Sequence, residues 1–145
     1  MRVTARRRGE EGFTHDVEIE GGHTIVLDEP AAAGGADLGP KPTLMLASSL
    51  AGCTAITIEL YADRKGWELP GLEVSVDMVS AADRSPTSFA VEVALPAGLD
   101  DEQRRKLMVI AEKCPVHRLL EHGAAITVAE KAPACWTSAW PGGPA

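Results

Sequence analysis

Pro42-Thr43-Leu44-Met45-Leu46-Ala47-Ser48-Ser49-Leu50-Ala51-Gly52-Cys53-Thr54-Ala55-Ile56-Thr57-Ile58 carries no charge over its whole length. Proline is tolerated in a first helical turn, and Gly66 follows Asp63-Arg64-Lys65 as a C-terminal cap. The reading is therefore one helix over 42–65. At 1.5 Å per residue it spans roughly 36 Å, enough to cross a small domain. Its middle is apolar or small all round, which predicts burial on most sides. The uncharged run is slightly short for a bilayer span and contains Ser48, Ser49, Gly52, Thr54 and Thr57, so a buried core helix is the more economical reading than a membrane segment.

Outward from this helix the patterns change. Residues 3–8, 13–20 and 23–27 read as three strands of an antiparallel meander, with turns at 9–12 and at Gly21-Gly22. Residues 31–40 lack periodicity and read as a loop. Residues 72–79 and 89–95 alternate apolar and polar side chains, the period of half-buried strands. Residues 83–88 join them as a hairpin, with Pro86 in the loop. Asp100 and Gln103 form a capping-box pair ahead of a helix that ends near Lys113, before Pro115. A short helix over 115–121 stops at Gly123, and 124–129 reads as a last strand. Strands and helices are segregated, which implies an α+β fold rather than a parallel α/β sheet. Residues 1–131 make one domain. Residues 132–145, with Cys135, Trp136 and Trp140 among prolines and glycines, make a tail that either packs on a groove or a partner subunit or is disordered, packing being favoured because exposed indoles are costly to leave in water.

The chain has 145 residues and a formal net charge of −7. A domain this size buries roughly two thirds of its unfolded surface and needs no staples. The acidic balance disfavours a nucleic-acid binder, which needs a basic face. Arg2, Arg6, Arg7 and Arg8 form a short basic cluster that Gly9, Glu10 and Glu11 end. No secretory signal is visible, and three cysteines are an odd number. Reduced thiols in a cytoplasm fit best.

Two cysteines stand in unlike settings: Cys53 within the uncharged helix, and Cys114 at a helix end before Pro115-Val116-His117. That contrast suits a nucleophile and a resolving partner better than a structural bridge. Only about 3% of an ordinary thiol is ionised at pH 7, so a reactive cysteine needs a cationic or hydrogen-bonding neighbour. Cys53 is too far from its helix start for the dipole to help. Arg6, Arg7 and Arg8 are the activating candidates in sequence. Ser49, Cys53 and Thr57 are spaced four apart on one helix face and could line a small polar pocket. Small residues in such a stripe equally serve close packing, and each cysteine alone reads as well as a structural residue. Cys114 and His117 have metal-ligand spacing, yet a structural zinc site needs a second ligand pair, so no metal is expected. Gly-x-Ser-x-Gly and phosphate-binding glycine loops are absent from the sequence.

The stretches Asp28-Glu29-Pro30, Gly34-Gly35-Ala36-Asp37-Leu38-Gly39-Pro40-Lys41-Pro42, Leu46 to Ala55 around Cys53, and Ala111-Glu112-Lys113-Cys114-Pro115-Val116-His117 together resemble the OsmC/Ohr family of osmotically inducible and organic-hydroperoxide-resistance proteins. The resemblance covers about residues 1–130 and implies an OsmC-like fold: antiparallel sheets around a long central helix, in an intertwined homodimer whose two sites are built by both chains. It implies that Cys53 is the peroxidatic thiol, that Cys114 resolves its sulfenic acid, and that an external dithiol or a dihydrolipoyl protein reduces the disulfide. No organic cofactor or metal is implied. One departure matters. Members with clear peroxidase activity carry a glutamate soon after the proline that opens the helix, where this chain has Thr43 and Leu44. That favours, as the alternative, a non-catalytic dimer binding a small hydrophobic or sulfur-containing ligand near Cys53.

Overall fold

A computed structural model describes residues 1–80 and 86–131. The tail expectation, with Cys135, Trp136 and Trp140, lies outside the described residues. Strands β1 (Val3–Arg7), β2 (His15–Ile19) and β3 (His23–Leu27) form an antiparallel meander. Arg6 pairs with Asp16 and Thr4 with Glu18 across β1 and β2, so charged side chains share one face. Val3, Ala5, Val17, Ile19, Ile25 and Leu27 share the other. Only Val17 of that apolar face is buried, and Val3 stands in the open.

The loop after β3 contains a single turn of 3-10 helix, Ala31–Ala33, and is clasped by Asp28. This carboxylate is 2% exposed and accepts from the Thr14 hydroxyl at 2.8 Å and the amides of Glu29 (2.8 Å), Ala36 (3.2 Å) and Leu38 (3.2 Å). Gly35 and Gly39 are required by close approach. A β-carbon would come within 1.8 Å of the Glu29 carbonyl oxygen at the first and 2.3 Å of the Val26 carbonyl oxygen at the second. The glycine-rich stretch is thus a structural clasp that delivers the chain to the long helix.

Helix α1 (Pro42–Lys65) begins on its proline and ends with Gly66 in the left-handed conformation, as its sequence predicts. It packs against β4 (Glu73–Ser80), α2 (Asp101–Ala111) and α3 (Pro115–His122). β4 pairs with β5 (Pro86–Ala94), aligning Val74 with Val93, Val76 with Val91 and Met78 with Phe89 on the inner face. α2 opens on the expected capping box, with Asp100 accepting from the Gln103 amide at 2.7 Å. Ile58, Ala62, Leu107 and Ala111 form the core, flanked by Tyr61, Trp67, Leu72, Val74, Val93 and Leu95.

Three expectations need correction. Pro86 is the first residue of β5, opposite Ser80 across a register irregularity, rather than a loop residue. Residues 124–129 form no strand: Ile126 is 85% and Val128 94% exposed. A strand exists only by pairing, and this segment meets no sheet edge among the described residues. Third, α1 is not buried on most sides. Ala47, Leu50, Thr54, Ile58 and Ala62 are buried, while Leu44, Leu46, Ile56 and Leu60 are exposed. One chain supplies cover for a single stripe of the helix.

Candidate active site

Cys53 lies midway along α1, half-buried, and Cys114 is the N-cap of α3, 0% exposed. The fold brings their side chains within hydrogen-bonding reach. Both are free thiols. The pairing follows from local chemistry. α2 ends at Ala111, and the Cys114 amide donates to the Ala111 carbonyl at 3.2 Å, which turns the chain. Pro115 then starts α3, and the Arg118 amide donates back to the Cys114 carbonyl at 3.1 Å. The amides of Val116 and His117, two of the orphan donors of any helix start, face sulfur instead of water.

The two thiols are polarised in opposite senses. Burial and the hydrogen bond to Cys114 push the Cys53 thiol up, and the Val116 amide offsets this only in part. Burial also works against a Cys114 thiolate. It is outweighed by the groups that favour the thiolate, namely Cys53, the His117 amide, the Thr54 hydroxyl within reach and the Val116 amide, so this thiol is held below its ordinary value.

Thr57 donates to the Cys53 carbonyl at 2.7 Å and stays beside that cysteine. Of the Ser49–Cys53–Thr57 stripe, Ser49 is exposed while Cys53 and Thr57 are half-buried. Ile56 and Leu60, three and seven residues on from Cys53, share its side of the helix, so the thiol opens onto an exposed apolar face.

The three arginines are held by their own sheet. Arg6 pairs with Glu18, Arg8 with Asp16, and Arg7 donates to the carbonyls of Glu10 and Gly12. Among the described residues none of them reaches either cysteine. His117 sits 3.8 Å from Glu121 and points outward. Among the described residues no three His, Cys, Asp or Glu side chains gather as a metal site. The first turn of α1, with Thr43 and Leu44, holds no acidic residue.

Sequence reasoning missed Thr54. It is 1% exposed, and its hydroxyl lies within reach of the Cys114 sulfur without a formed hydrogen bond. The missed amides of Val116 and His117 had a signal, since proline at the first helical position marks where the next two N–H groups lack carbonyl partners.

Comparison with known proteins places these features in context. The sequence model described as OsmC-like protein matches residues 34–129, which include both cysteines. No functionally curated protein matches the chain in sequence. Among solved structures, a Psychrobacter arcticus protein assigned to osmotic-stress induction and detoxification superposes with a TM-score of 0.71 at 24% identity, over 80% of this chain and 85% of its own. The organic hydroperoxide resistance protein OsmC of Legionella pneumophila gives 0.56 at 23% identity, over 83% and 89%. The organic hydroperoxide resistance protein OhrB of Bacillus subtilis gives 0.50 at 25% identity, over 81% and 87%. At such identities the likeness establishes the fold.

Proposed function

The chain belongs to the OsmC family, and we propose that it is a thiol-dependent reductase of organic hydroperoxides. The observation that carries this reading is the meeting of Cys53 and Cys114 at the start of α3, one half-buried and one fully enclosed. In this chemistry the Cys53 thiolate attacks the terminal oxygen of R–O–O–H. The O–O bond breaks, the alkoxide leaves and takes a proton to become the alcohol, and Cys53 becomes a sulfenic acid. The Cys114 thiolate then attacks that sulfur. A disulfide forms, and hydroxide leaves to become water. An external dithiol, free or carried as a dihydrolipoyl group on a protein, returns the two electrons. The established thiol chemistry calls for no metal or organic cofactor.

Cys53 needs a cation that none of the described residues brings, and a second copy is the source we propose. The exposed apolar residues of α1, the open face of the β1–β3 sheet and the unpaired 124–129 segment together favour an intertwined homodimer. Each large apolar side chain so covered contributes about 1.5–3 kcal/mol. In such a dimer Arg6, Arg7 and Arg8 approach the partner's site rather than their own. The free thiols favour a soluble protein of a reducing cytoplasm.

The raised Cys53 thiol and the missing carboxylate at Thr43 and Leu44 favour a second reading, a dimer that holds a small hydrophobic or sulfur-containing ligand at Cys53 without turnover. Cumene hydroperoxide consumption with dithiothreitol as reductant separates the two. The peroxidase reading predicts turnover that Cys53→Ser abolishes, and a single sulfenic-acid equivalent in the Cys114→Ser chain when the dithiol is left out. Full turnover by the Cys53→Ser chain would remove Cys53 from the mechanism, and none by the native chain would leave the ligand-binding reading.

A further inference from the structure

Among the serine and threonine hydroxyls of helix α1, those of Ser48, Thr54 and Thr57 are treated differently. Ser48 donates to the Leu44 carbonyl at 2.8 Å and Thr57 to the Cys53 carbonyl at 2.7 Å, each four residues back, the ordinary outlet for a hydroxyl inside a helix. Thr54 does not use its outlet, the Leu50 carbonyl. Its oxygen is buried with no hydrogen-bond partner among the described residues. Thr54 also belongs to the buried stripe of Leu50, Ile58 and Ala62, where valine would fill the same space without an orphaned hydroxyl. Packing therefore does not account for this oxygen.

The neighbour it reaches does. Cys114 is the N-cap of α3, and its sulfur is enclosed by groups that can donate: the Val116 and His117 amides from α3, and Cys53 and Thr54 from α1. Cys53 is the titratable side chain facing it. A neutral thiol gives the Thr54 hydroxyl only a poor acceptor, whereas a thiolate is a good one.

We infer that Thr54 is a positioning residue for the resolving step, its buried hydroxyl held in place to donate to the Cys114 sulfur once that sulfur is an anion. The hydroxyl stays idle in the reduced neutral pair and engages when Cys114 ionises to attack the Cys53 sulfenic acid. The kinetic part of this assignment rests on the peroxidase reading, and the ionisation part stands without it.

The test is a pH titration of thiolate ultraviolet absorbance on the full reduced chain, in a Cys135→Ala background so that Cys53 and Cys114 are the thiols observed. Thr54→Val should lower the thiolate present at neutral pH by about 2- to 10-fold, the worth of one hydrogen bond, and move the first ionisation to higher pH. Thr54→Ser keeps the hydroxyl and should titrate like the parent. Should the valine chain fail to fold, Thr54→Ala against Thr54→Ser makes the same comparison. A Thr54→Val or Thr54→Ala chain that titrates like the parent overturns the assignment. A second readout is the rate of disulfide formation after one equivalent of cumene hydroperoxide, expected to slow by the same factor while sulfenic acid accumulates. If the parent itself forms no disulfide, the peroxidase reading fails, and the titration still decides whether Thr54 serves Cys114.

Discussion

The two halves of this chain solve burial differently. The second half, α1 with β4, β5, α2 and α3, builds a core from its own side chains, with Ile58 and Leu107 fully enclosed. The β1–β3 sheet has one apolar face of which only Val17 is buried, and the Asp28 clasp ties Thr14 to the loop that leads into α1. The thiol pair sits in the self-sufficient half, and the arginines sit in the other. A chain arranged this way brings the two thiols together and holds Arg6, Arg7 and Arg8 elsewhere, which is the observation the homodimer proposal starts from.

The comparison breaks first at the core. Leu107→Ala should cost about 2–5 kcal/mol, the range for a fully buried leucine, read by denaturant unfolding. A loss below about 1 kcal/mol would mean the second half does not depend on its own packing. The next largest effect concerns the open face of α1. Leu60 is exposed within one chain, so Leu60→Asp should leave the fold intact by circular dichroism. It should weaken self-association by roughly 30-fold, the effect of losing about 2 kcal/mol at an interface. Analytical ultracentrifugation checks it, and an unchanged association constant would exclude that face from the interface.

The clasp gives a pH-dependent prediction. Burial opposes the charge on Asp28, but the hydrogen bonds from Thr14 and the amides of Glu29, Leu38 and Ala36 outweigh it and hold the carboxyl below its ordinary range. Its folded-state value is depressed, so its contribution is present above the unfolded value near 3.9. It is lost as pH falls through the lower folded value. Asp28→Asn should remove this acid-range dependence and speed hydrogen exchange at Ala36 and Leu38, with little change in the core. Unaltered exchange at those amides would remove the clasp. The smallest effect is expected at Arg6, whose ion pair with Glu18 is exposed on both sides. Arg6→Gln should change stability by less than about 0.5 kcal/mol. A loss of peroxide reduction with stability unchanged would mark Arg6 as the activating cation of the partner's site, and unchanged turnover would leave Arg7 or Arg8.

The sequence made some features legible because they are local. The bounds of α1 follow from Pro42 and Gly66, and the start of α2 follows from Asp100 and Gln103. The Cys53–Cys114 meeting came from the family resemblance, since a separation of many residues says nothing of distance. Features that depend on what packs where did not show. The composition of α1 implied cover on most sides, and the helix has cover along one stripe because one chain supplies only that much. Residues 124–129 alternate as a strand does, yet alternation cannot supply a partner edge. Thr54 escaped notice because its face is fixed by the docking of α3, and no property of its neighbours in sequence separates it from the core threonine it resembles.

The central claim is that Cys53 and Cys114 form a working redox pair. Intact mass and peptide mapping of the reduced chain after one equivalent of cumene hydroperoxide test it most directly. The account predicts a Cys53–Cys114 disulfide that forms rapidly and that a dithiol reverses. Two cysteines that remain reduced while the hydroperoxide persists would contradict it.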